Sequence, residues 1–91
     1  MEKDESAMKD QAVEDLTLLL IYLTSWEEKV YGDVTVHRAW KGYLFEVLDA
    51  LEEAGYLNQT RRAKSVTLTE AGLEHARALE AKFLGNTAEG I

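Results

Sequence analysis

The chain has 91 residues, no cysteine and a formal net charge of −7. That length holds one small domain. The missing cysteines exclude a disulfide framework, a thiolate metal site and a thiol nucleophile, and they fit a reducing cytoplasm. The longest apolar run, Leu18 to Leu23, is six residues, against the about 20 that a membrane span needs. The charged start, Met1 to Glu5, has no apolar core behind it and does not read as a signal peptide. A soluble cytoplasmic protein with no membrane partner is expected.

In chain order, residues 1–10 are polar and charged and are expected to be disordered or frayed. Apolar spacing predicts a helix from about Gln11 to Lys29. Val13, Leu16, Leu20 and Leu23 form its main stripe, and Leu19, Tyr22 and Trp26 widen it. Asp10 is its candidate N-cap. Leu18 and Ile21 point away from that stripe, so the helix needs cover on a second side, from another copy or from the later helices. Gly32-Asp33 marks a turn. Val34-Thr35-Val36 alternates like a short edge strand, and His37 to Lys41 fits one helical turn. A second helix is expected over about 43–54, with Leu44, Val47, Leu48, Leu51 and Ala54 inward and Gly55 ending it in the left-handed region. Strands near 56–60 and 64–68 flank a basic loop. Thr69 caps a last helix whose inner face is Leu73, Ala76, Leu79 and Phe83, and Gly85-Asn86 stops it.

Two runs carry a resemblance: Leu51-Glu52-Glu53-Ala54-Gly55-Tyr56-Leu57, and Val66-Thr67-Leu68-Thr69-Glu70-Ala71-Gly72. Helix, glycine, basic wing, then Leu-Thr-Glu-x-Gly opening a helix resembles the winged helix-turn-helix domain of small bacterial regulators, over roughly residues 12–84. The segments 24–29 and 38–43 are also similar to a family of small uncharacterised bacterial proteins, which implies no activity. The resemblance implies an α+β fold of three main helices with a short β-hairpin wing. The second helix of the usual motif is degenerate, its place taken by Val34 to Lys41. In these terms, residues 11–85 are a single winged-helix domain and 86–91 a flexible tail.

Charge divides the functional reading. Residues 1–37 carry three basic and nine acidic groups, residues 38–64 five and four, and residues 65–91 two and four. An acidic balance argues against DNA as the default partner, yet a local basic patch remains in the middle. Arg61, Arg62 and Lys64 at the wing, with Arg38 and Lys41, are the candidate nucleic-acid contacts, reaching phosphates without reading sequence; the bland alternative is solubility of an exposed hairpin tip. Glu46, Asp49 and Glu53 face outward on the would-be reading helix and repel phosphate, which suits a solvated face better than base readout. Trp26 and Trp40 read as core or interface, with a ligand platform as the rarer use. His37 and His75 have no third ligand or nucleophile beside them, and no phosphate loop or metal spacing occurs, so no enzyme, cofactor or metal site is expected. The expected function is a DNA-binding, regulator-like module that uses its wing. The alternative is an acidic winged helix with no nucleic-acid binding, used for protein–protein interaction or in a structural role. A homodimer is expected in either case, through Leu18, Ile21, Trp26 and Phe83.

Overall fold

The computed structural model describes residues 2–60 and 62–89, with side chains for 7–60 and 62–85; Met1, Arg61, Gly90 and Ile91 lie outside the described residues. The chain runs α1 (Glu2–Leu23), β1 (Trp26–Tyr31), β2 (Val34–Trp40), α2 (Phe45–Glu53), β3 (Leu57–Gln59), β4 (Ser65–Leu68) and α3 (Glu70–Glu89). The four strands form one antiparallel sheet in the order β1-β2-β4-β3. The fold is therefore α+β, with three helices against a four-stranded sheet.

α1 differs from its expected span at both ends. It begins at Glu2, and no glycine or proline interrupts it through Leu23, so Asp10 lies within the helix and caps nothing. It stops six residues short of Lys29 because Thr24 and Ser25 take over its last carbonyls. The Thr24 hydroxyl donates to Leu20 O at 2.8 Å and the Ser25 hydroxyl to Tyr22 O at 2.7 Å. Such local bonds compete with continued helix. The next element is a strand: β1 pairs with β2 around Gly32-Asp33, with Gly32 at φ 55°. Glycine stands first in this two-residue loop, where a II′ hairpin turn requires it.

β2 corrects a second expectation. Val34–Trp40 is one strand in the interior of the sheet, neither a short edge member nor a strand plus a helical turn. Between α1 and α2 the described residues hold no helix. The element that would brace a reading helix is therefore a β-hairpin. The second hairpin, β3 and β4, lies where strands flanking a basic loop were expected. The third helix also runs on, through Gly85-Asn86 to Glu89.

Junctions around the wing follow their local signals. Tyr56 N donates to Leu51 O and Gly55 N to Glu52 O, both at 2.9 Å, with Gly55 at φ 91°. This is the paired bonding that closes a helix on a left-handed glycine. The Thr69 hydroxyl accepts from Gly72 N at 2.9 Å and donates to Gly55 O at 2.6 Å, capping α3 and tying it to the end of α2.

The core is one layer deep between helices and sheet. Leu18, Leu19 and Ile21 of α1, Leu48 and Leu51 of α2, and Ala76 and Leu79 of α3 close over Ala39, Leu57, Val66 and Leu68 of the strands. α1 lies between α2 and α3 and touches both. Its faces are exchanged relative to the expected stripe. Leu18 and Ile21 are 0% exposed, whereas Val13, Leu16, Leu20 and Leu23 are about half exposed. Leu18 and Ile21 are therefore core, and they cannot serve as the dimer contacts expected of them. Leu44 and Ala54, expected inward on α2, are exposed, as is Phe83 on α3. His75 is partly buried: it stacks on Tyr56 (centroids 4.7 Å apart) and its Nε2 lies 3.6 Å from Asp15 Oδ1, joining α3 to α1.

Candidate functional site

All helices in the core pack on one face of the sheet, so among the described residues no helix lies on the other. Strand pairing shows what stands on it, because paired residues share a face and neighbours alternate. Ala39, Val66 and Leu68 point to the helices. Arg38, Trp40, Ser65 and Thr67 therefore point away from them, together with Trp26 and Glu28 of β1, Val36 of β2 and Asn58 of β3. Past a bulge in β1, Tyr31 pairs with Val34 on the same side. Trp26, Arg38, Thr67 and Asn58 make one row across all four strands.

Aromatic side chains stand at both ends of the β1–β2 part of this face, Trp26 and Trp40 at one end and Tyr31 at the hairpin turn. The Trp26 and Trp40 rings pack 4.9 Å apart at 46°, as diagonal neighbours on adjacent strands. Trp40 is 65% exposed and Tyr31 76%, and Val34 lies open beside Tyr31. Apolar side chains in such numbers on an uncovered sheet face are unusual in a monomer.

Charge on this face is internally matched. Arg38 Nε lies 3.2 Å from Glu28 Oε1, and the Trp26 indole N–H donates to the same carboxylate oxygen at 3.4 Å. The Arg38–Glu28 approach is an ion pair whose angle does not make a hydrogen bond, so the Nε–H is buried without an acceptor.

The five expected phosphate contacts do not converge. Arg38 stands on the open face against Glu28. Lys41 continues the ladder beyond β2, its N–H donating to Lys64 O at 2.9 Å. Its side chain lies on the opposite side of the sheet from Trp40 and donates to Thr60 O at 2.9 Å. There it lines a cleft with Phe45, Asp49, Glu52, Gln59 and Thr60. In that cleft Gln59 Nε2 donates to Asp49 Oδ1 at 3.1 Å and to Glu52 Oε1 at 2.9 Å. Lys41 thus sits among carboxylates, not in a basic strip. Arg62 and Lys64 are exposed in the loop between β3 and β4, and Arg61 lies outside the described residues. Among the described residues no three His, Asp or Glu groups gather as a metal site, and no helix is long and apolar enough to cross a membrane.

Sequence reasoning singled out Trp26, Trp40 and Arg38 but missed Tyr31, Val34 and Val36 as members of one surface. The signal was the alternation in Val34 to Trp40 on either side of Ala39, which reads as a strand once His37 to Lys41 is not taken for a helical turn. One protein family, described as a domain of unknown function, matches residues 9–86. No curated protein and no solved structure matches the chain.

Proposed function

The chain belongs to that family, DUF6429, whose description names no activity, and we propose from the geometry of the open sheet face that it is a protein-docking module. The observation that carries the reading is the Trp26–Trp40 pair, with Val36 and then Tyr31 and Val34 farther along the same face, which no helix covers among the described residues. Tryptophan and tyrosine anchors of this kind supply most of the energy of an interface when a partner buries them. The partner that fits presents an apolar or aromatic patch. With a net charge of −7 on this chain, basic residues around that patch speed its approach.

Peptides selected from a displayed random library against the immobilised protein test this reading. The selected peptides should be rich in apolar and aromatic residues. Trp40→Ala combined with Tyr31→Ala should weaken their binding by about 2 kcal/mol or more, with the melting temperature little changed because both side chains are largely exposed. Peptides that bind the double variant as well as the parent would sink the proposal.

A second reading, duplex DNA contact by a winged-helix-like wing, is favoured by one observation: Arg62 and Lys64 are exposed at the hairpin tip. Against it stand the missing bracing helix, the carboxylates Glu46, Asp49 and Glu53 exposed on α2, and the placement of Lys41 among acids. Labelled random duplex titrated at low salt decides it. Binding that falls steeply with salt and is lost in Arg62→Glu with Lys64→Glu would favour the wing over the sheet face.

A further inference from the structure

The helical layer carries a second uncovered apolar surface, on the opposite side of the molecule from the bare sheet face. Val13, Leu16, Leu20 and Leu23 line the outer face of α1, each between 46% and 50% exposed. Their spacing is three, four, three, the a/d repeat by which one helix presents a narrow seam to another. Leu44, at the start of α2, shares a cleft with Val13 and extends the seam at one end. The inner face of α1, with Leu18 and Ile21, is already filled by the core, and among the described residues nothing covers the outer one.

We propose that this seam docks against the same seam of a second copy, pairing the two α1 helices about a two-fold axis. Three observations select that occupant. First, the repeat on a helix calls for a helix as partner, because knobs at these positions fit holes of matching spacing. Second, the eleven residues from Leu16 to Trp26 carry no charge in a chain of net −7. An antiparallel pairing lets two such acidic molecules meet along this stretch, because it sets the Asp10, Glu14 and Glu46 carboxylates that line the Val13–Leu44 cleft against the uncharged end of the partner's seam. The positions flanking the seam, Ala12, Thr17 and Thr24, also lack the charges by which a helix selects a different partner. Third, the area suffices. Five side chains about half exposed or more offer on the order of 400 Å² of apolar surface per copy, close to the apolar share of a standard interface of about 800 Å² per partner. The expected dimer is of modest affinity, since its seam spans only two heptads.

In this dimer α1 lies inside and both sheet faces point outward. The pairing does not depend on what the sheet face binds. If that face docks a partner, the dimer is bivalent, and two weak contacts to one multivalent partner reinforce each other.

Sedimentation equilibrium of the full chain tests the pairing. The mass should rise from 10.3 kDa toward twice that value across roughly 1–100 μM. Added salt should strengthen the association, because it screens the repulsion of two acidic chains. Leu16→Glu with Leu20→Glu should hold the mass at that of the monomer over the same range, with helix content unchanged. Leu16→Met with Leu20→Met should restore the dimer, which separates loss of the seam from misfolding. Trp40→Ala should leave the dimer intact. A monomer at 100 μM, a dimer that survives the double glutamate change, or a dimer lost on Trp40→Ala would each overturn the proposal.

Discussion

At Gly72 the first turn of α3 comes so close to the Tyr56 carbonyl that a β-carbon would overlap it. The same carbonyl accepts from Thr69 N at 3.0 Å, so it cannot swing aside without losing a cap bond. Gly72→Ala is therefore expected to cost about 3 kcal/mol. A domain of this size has roughly 5–14 kcal/mol in all, so urea unfolding should show a clear fall in midpoint. A change below about 0.5 kcal/mol would mean the junction has slack. Thr69→Ala should cost about 1–2 kcal/mol by the same measurement, because its hydroxyl serves two bonds. The roles of Gly55 and Thr69 could be read from their neighbours in the chain, since a cap involves residues three or four positions apart. The demand on Gly72 could not. It arises from a carbonyl sixteen positions earlier, brought there by the turn between α2 and β3.

Among the elements, α1 is the one whose reading and structure diverge most. Eight of its residues from Val13 to Leu23 are apolar, counting Tyr22, and periodicity alone permits either of two opposed stripes to face inward. Leu18 and Ile21 won because the space between α1, α2 and the sheet closes around them. The consequence is measurable: Leu18→Ala should cost about 2–5 kcal/mol, whereas Leu16→Ala should cost under about 1 kcal/mol in the monomer. Equal losses would contradict the exchanged faces. β1 was misread for a related reason. Trp26 continues the helical spacing of α1, but Thr24 and Ser25 end the helix just before it. The strand then depends on pairing with β2, a contact that only the hairpin supplies. α2, β3 and β4 fell where expected because a glycine at one end and a threonine cap at the other bound them on both sides.

As a whole molecule the protein is two layers, helices over sheet, with acidic charge spread across its surface. Its ion pairs, such as Arg38–Glu28, are partly exposed and few among the described residues, so self-repulsion outweighs them. Raising salt from about 20 to 300 mM should then lift the melting temperature by a few degrees, measured at sub-micromolar protein to keep association out of the reading. A fall with salt would show that specific pairs matter more than net charge. Two surfaces are left open at this scale, the aromatic sheet face and the α1 seam, and neither coincides with the basic wing that charge alone suggested. Composition, caps and glycines were enough to establish a small α+β domain with a hairpin before its last helix, because those signals act between residues a few positions apart. Which stripe of α1 is buried, whether Val34 to Trp40 is a strand, and which face of the sheet carries the tryptophans were decided by packing. Each depends on elements distant in sequence meeting in space, and an apolar side chain alone does not specify which neighbour will cover it.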